Sequence, residues 1–128
     1  MKMTERRALV KETMDYIDSN LKATLSIKRI AAEVKSDPAD IDRPFRQVTG
    51  KTIKRYIDEK CKEKLDKWLM EGTYKGYEIG AQLGFGSDQA FYRWVKRVYN
   101  ISFRKLKSEN YLASRNSRGG QTPRSITR

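Results

Sequence analysis

Residues Tyr77 to Asn100, YEIGAQLGFGSDQAFYRWVKRVYN, carry their own start, turn and stop signals. Ile79 and Leu83 sit four apart on a short helix, which Gly84 can close in the left-handed cap conformation. Phe85 plugs inward, Gly86 relaxes the bend, and Ser87 is a good N-cap for a second helix. On that second helix Phe91, Val95, Val98 and Tyr99 share one face. Gln89, Arg93, Lys96 and Arg97 share the other, with Tyr92 at the border. A short helix, a tight glycine turn and a capped helix with a basic outer face predict a helix-turn-helix. Its second helix is of the kind that enters a DNA major groove.

The rest of the chain is read outward from this motif. Upstream, Val10, Met14, Ile17 and Leu21 recur at spacings of four, three and four, predicting an amphipathic helix over Arg7 to Leu21, with Asn20 suiting its C-terminal turn. Residues 1 to 6 are polar and expected to fray. Ser26 can cap a helix whose Ile27, Ile30, Ala31 and Val34 face inward. Asp37 followed by Pro38 then starts a helix placing Ile41, Phe45 and Val48 inward, which Gly50 stops. These two form a second helix-turn-helix candidate. Pro44 falls in the interior of its last helix, where a proline costs roughly 3 kcal/mol, so a kinked or short helix is expected there. Thr52 caps a longer helix, Ile53 to Met70, striped by Tyr56, Ile57, Cys61, Leu65, Trp68 and Leu69. Its acidic residues Glu59, Glu63, Asp66 and Glu71 are expected on the wet face. After Asn100, Ser102 can cap a final short helix that packs Phe103 and Leu106 on the core. The fold class is all-α, with about seven helices in four segments. Residues 7–51 form a first helix-turn-helix subdomain, 52–71 a linker helix, 72–109 a second subdomain, and 110–128 a flexible tail whose charges are all arginines after Asn110.

Composition narrows the function. Among 128 residues, 28 Lys and Arg stand against 16 Asp and Glu, a formal net charge of +12, which signals a polyanionic partner. No apolar run approaches about 18 residues and the N-terminus has no secretory h-region, so a cytoplasmic protein without a membrane span is expected. The lone Cys61 excludes an intrachain disulfide and reads as a buried small hydrophobe. With no His, no second Cys, no metal-ligand cluster and no P-loop, catalysis is not expected, nor is a metal or other cofactor.

Two helix-turn-helix units joined by one long helix resemble the DNA-binding domain of the AraC/XylS family of bacterial transcription regulators. The resemblance covers residues 7 to 107. Its downstream signature stands here as Ile79, Gly84-Phe85, Ser87-Asp88, Phe91, Arg93, Val95, Lys96 and Tyr99-Asn100-Ile101-Ser102. The upstream run stands as Phe45-Arg46, Gly50 and Tyr56-Ile57. In length and layout the chain is most similar to the stand-alone MarA/SoxS/Rob type. It departs at Lys60 to Lys64 (KCKEK) in the linker, at Lys35 where the family's turn carries glycine, and at Asp40, Asp42 and Pro44.

The resemblance implies a sequence-specific binder of double-stranded promoter DNA that acts as an activator recruiting RNA polymerase, with no small-molecule effector. A linker of about 18 residues is roughly 27 Å long. One chain could then read two successive major-groove segments as a monomer. In the second head the candidate contacts are Ser87, Asp88, Gln89, Tyr92, Arg93, Lys96 and Arg97. Gln89 suits adenine and Arg93 guanine, Lys96 and Arg97 suit phosphates, and Tyr92 a sugar or a thymine methyl. Asp88 either accepts from cytosine or complements the helix N-terminus. In the first head they are Ala39, Asp42, Arg43 and Arg46, with Asp42 either reading cytosine or pairing with Arg43 or Arg46, and Asp40 repelling wrong sites. The alternative is a transcription adaptor in which one head, especially the first, grips RNA polymerase or another regulator.

Overall fold

A computed structural model describes residues 2–72 and 75–108. Among them there are seven helices and no strand: α1 (Met3–Ser19), α2 (Ile27–Glu33), α3 (Pro38–Thr49), α4 (Ile53–Glu71), α5 (Gly76–Gln82), α6 (Asp88–Tyr99) and α7 (103–108). The tail expected over 110–128 lies outside the described residues, as do Thr73 and Tyr74 after the linker helix. The described residues divide into two compact units at Cys61 and Lys62, within α4.

In the first unit, α1 starts earlier than its apolar stripe suggests. Residues 3–6 are helical because the Lys2 N–H donates to Glu5 Oε1 at 2.9 Å, supplying one of the partners a helix start lacks. Val10 and Ile17 are buried as expected, but Thr13 rather than Met14 completes the inward stripe. Its hydroxyl is satisfied by the Leu9 carbonyl at 2.8 Å, which lets a polar side chain sit in the core. At the far end, Asn20 Nδ2 donates to the Tyr16 carbonyl at 2.9 Å. The core of this unit is Val10, Ile17, Ala23, Ile30, Ala31, Ile41, Phe45, Ile53, Tyr56, Ile57 and Cys61. Phe45 meets Tyr56 edge-on, with ring centroids 5.4 Å apart.

Two expectations about α3 need correcting. Of the alternatives expected at Pro44, a kinked or a short helix, the short one does not form: the helix runs twelve residues to Thr49, where Gly50 ends it as expected, at φ +81°. Pro44 removes the donor that the Asp40 carbonyl would have used, but its ring is buried beside Ile41 and Phe45, and that packing offsets the loss. Pro44 thus takes an inward place, while Val48, expected in the core, is 39% exposed.

The second unit repeats the first in miniature. Each helix-turn-helix turn closes by the same pair of backbone bonds, a Schellman motif. Ser36 N–H reaches the Ala31 carbonyl (2.8 Å) and Lys35 N–H that of Ala32 (3.3 Å). In the second unit, Phe85 N–H reaches Gly80 and Gly84 N–H reaches Ala81, both at 3.0 Å. The left-handed residue is Lys35 (φ +56°) in one turn and Gly84 (φ +92°) in the other. Both second helices then end on a left-handed residue, Gly50 or Asn100, and both are followed by a hydroxyl-capped helix. Thr52 Oγ1 accepts from Arg55 N–H at 3.0 Å, and Ser102 Oγ from Lys105 N–H at 3.2 Å.

The core of the second unit is Leu65, Ile79, Leu83, Phe91, Trp94, Val95, Phe103 and Leu106. Gly80 is needed for it: a Cβ there would lie 3.1 Å from Cβ and Cγ of Phe91, so α5 and α6 approach closely only because that atom is missing. Asp66 is not on a wet face. It is half-buried on α4 and accepts from the Tyr99 hydroxyl at 2.9 Å. Burial pushes its carboxyl above the usual carboxylate range, a rise that Glu63 adds to and that the Tyr99 hydrogen bond and Lys62 oppose.

Candidate nucleic-acid interface

The outer face of α6 is built by what lies beneath it. Phe91, Trp94 and Val95 are buried, with Phe85 from the turn packed 5.8 Å from the rings of both Phe91 and Trp94. That fixes the helix's rotation and turns Asp88, Gln89, Tyr92, Arg93, Lys96 and Arg97 to the exterior, all exposed. Ser87 Oγ accepts from Ala90 N–H at 3.1 Å, so this hydroxyl is engaged in starting the helix. Asp88 lies in the first turn, where a carboxylate complements the positive helix end, and Lys96 and Arg97 lie in the last, where cations complement the negative end. Among the described residues no ion pair within 4.0 Å involves Arg93 or Lys96, so both cations face outward without a described acidic partner.

On α3 the same logic gives a different surface. Asp37 Oδ1 accepts from Ala39 N–H at 2.9 Å and starts the helix. Ala39, Asp40, Arg43 and Arg46 are exposed. Asp42 goes elsewhere than expected: it pairs with neither Arg43 nor Arg46 but turns inward, its Oδ1 accepting from the Ile53 N–H at 2.9 Å. That N–H opens α4 and has no intrahelical partner, so the carboxylate caps a second helix rather than facing outward. In the second unit the corresponding residue is Tyr92, which likewise packs toward the helix that follows.

The exposed cations differ in availability between the two units. Lys51 and Arg55 are both held by Glu59, whose carboxyl is lowered first by the Lys51 hydrogen bond and then by Arg55. Arg29 pairs with Glu33 at 3.8 Å. Counting only exposed charges, α3 presents Asp40 against Arg43 and Arg46, while α6 presents Asp88 against Arg93, Lys96 and Arg97. The second head is the more basic. Among the described residues no group of His, Cys, Asp and Glu could hold a metal ion, and no helix is long and apolar enough to cross a membrane.

Comparison with known proteins agrees with this geometry. A family model described as a helix-turn-helix domain matches residues 30–109. The multiple antibiotic resistance protein MarA of Escherichia coli is 23% identical over 97 residues, 76% of each chain. The uncharacterized HTH-type transcriptional regulator YobQ of Bacillus subtilis is 29% identical over 96 residues, 75% of this chain and 40% of YobQ. Among solved structures, the C-terminal domain of the response regulator yesN from Fusobacterium nucleatum superposes with a TM-score of 0.67 at 20% identity, covering 74% of this chain and 93% of that one. An AraC-type regulator from Chromobacterium violaceum gives 0.65 at 21% identity, covering 84% and 96%. With two glycine- or lysine-closed turns, a capped basic helix on the second, and a family match across most of the chain, the protein belongs to the AraC/XylS family of DNA-binding transcription regulators.

Proposed function

We propose that this regulator is an activator that reads promoter DNA sequence-specifically as a monomer, with α6 as its principal recognition helix and α3 as a second. The observation that carries this is the outward, cap-fixed face of α6, where Gln89 and Arg93 stand at the centre and Lys96 and Arg97 beside them. Gln89 matches adenine and Arg93 guanine by bidentate bonds, while Lys96 and Arg97 hold phosphates. In the first head Ala39, Arg43 and Arg46 make the contacts, Arg43 reading a base and Arg46 a phosphate. Asp42 is withdrawn from this set because its carboxylate caps α4. The presence of two helix-turn-helix units in one chain supports reading of two successive groove segments.

Titration of labelled duplexes tests it. A site recovered by selection from random sequence should bind far tighter than a scrambled duplex, and equal affinity for both would refute sequence-specific reading. Arg93→Ala should relax preference at one base pair, by about 1–3 kcal/mol, whereas Lys96→Ala should weaken all sequences alike and reduce the salt slope by about 1.

A second reading has its own support. The first unit exposes Met3 (50%) and Val48 (39%), which line a groove with Val10 and Met14, and α3 turns Asp40 outward. Such a surface suits a protein partner, RNA polymerase or another regulator, gripped by the first head. Substituting Arg43 and Arg46 with Ala separates the two: loss of promoter activation at unchanged DNA affinity favours the adaptor, and loss of DNA affinity excludes it.

A further inference from the structure

Tyr92 stands at the flank of the α6 outer face, one turn before Lys96, with Gln89 and Arg93 at the centre. Its ring stacks nearly parallel on Phe103, centroids 5.7 Å apart and planes 24° apart. Phe103 is buried and set edge-on against Phe91 at 5.1 Å, so the platform under Tyr92 is itself fixed. Gly76 completes the seat. A Cβ at Gly76 would lie 2.9 Å from Phe103 Cε2, closer than packed atoms come, and 3.6 Å from the Tyr92 hydroxyl oxygen, an ordinary contact, so the absent side chain is what admits the Phe103 ring on which Tyr92 stacks. The hydroxyl therefore rests beside Gly76 at the start of α5, while the residue stays 43% exposed. It makes no hydrogen bond among the described residues.

In a helix that enters a groove, the centre of the outer face meets base edges and its flanks meet the sugar–phosphate walls. We propose that Tyr92 is a phosphate-binding residue: its hydroxyl donates to a non-bridging oxygen of one phosphodiester flanking the segment read by α6, with Phe103 and Gly76 as positioning residues. The inference rests on α6 being the recognition helix. Because the ring is immobilised by folding, little side-chain freedom is lost on binding. The contact fixes the depth and register of α6 without favouring any sequence. The first head has no counterpart, since Asp42 occupies the corresponding position and faces Ile53 N–H.

Tyr92→Phe keeps the stack and removes only the hydroxyl. In the full chain it should weaken binding to the selected duplex and to a scrambled one by the same factor, about three- to tenfold. A series of duplexes, each with one flanking phosphate replaced by a neutral methylphosphonate, locates the contact. The wild-type protein should lose affinity at one position to which Tyr92→Phe is indifferent. Gly76→Ala, which displaces Phe103, should blunt sensitivity at that same position. Unchanged affinity in Tyr92→Phe, or undiminished sensitivity at every methylphosphonate, overturns the proposal. Arg93→Ala measured in parallel separates the two levels. If it relaxes sequence preference while Tyr92→Phe does nothing, only the tyrosine assignment falls. If Arg93→Ala leaves preference intact, the recognition-helix reading falls and this inference falls with it.

Discussion

At Lys35 a residue with a side chain holds φ at +56°, a conformation that costs an L-residue roughly 1–2 kcal/mol and that Gly84 adopts without strain in the equivalent turn. Lys35→Gly relieves this, against the extra backbone freedom glycine has when unfolded, which offsets about 1 kcal/mol. The expected outcome is a modest gain, a few tenths to about 1 kcal/mol, seen as a higher urea midpoint with an unchanged slope; a loss of stability would show that the Lys35 side chain contributes packing that the turn needs. Residue identity alone announced this substitution of Lys for Gly, and the local chemistry of caps was equally legible: Ser26, Asp37, Thr52, Ser87 and Ser102 all accept the N–H bonds their types suggest. Asp42 was not legible, because its partner, Ile53 N–H, is eleven residues away and depends on how α3 meets the start of α4. Thr13 was missed for a related reason: a hydroxyl that bonds its own helix's Leu9 carbonyl behaves as a core side chain.

At the scale of elements, the repeat of short helix, turn and long helix sets what each packed surface tolerates. Ala31 is buried without strain in the first unit, whereas its counterpart Gly80 has no room for a methyl group. Gly80→Ala should therefore destabilise by about 1–3 kcal/mol through overpacking against Phe91, offset in part by alanine's better helix propensity. A thermal melt that rose instead would show that α6 can retreat from α5 at little cost. On α4, Asp66 gives a pH test. Its carboxyl is raised by burial, so the folded state holds the proton more tightly than the unfolded chain. Stability from this group falls as pH rises from the ordinary carboxylate range through the raised value, and is constant above it. Asp66→Asn, which can still accept from Tyr99, should equal the wild type in acid and exceed it at neutral pH; a pH-independent difference would contradict the assignment. Periodicity and cap residues placed the boundaries of α2, α3, α4 and α6 closely, but not which side chains of α3 face inward. A proline counts as a breaker in sequence, and nothing in the pattern says that its ring will take an inward place beside Ile41 and Phe45.

For the whole molecule, the formal charge of +12 makes affinity for any nucleic acid expected, so salt-dependent binding alone does not distinguish a regulator from a generic polycation. What distinguishes it is position-specific contact. The second head concentrates exposed cations on α6, while the first divides its outer charges between Asp40 and the arginines Arg43 and Arg46. The two heads are therefore expected to contribute unequally, the second carrying more of the salt slope. Hydroxyl-radical footprinting of the full chain on its selected duplex tests the central claim most directly. Two protected segments about one helical turn apart are predicted, with the segment assigned to α6 lost in Arg93→Ala together with Lys96→Ala. Protection of a single segment that survives those substitutions, or of none above the background of a scrambled duplex, would contradict it.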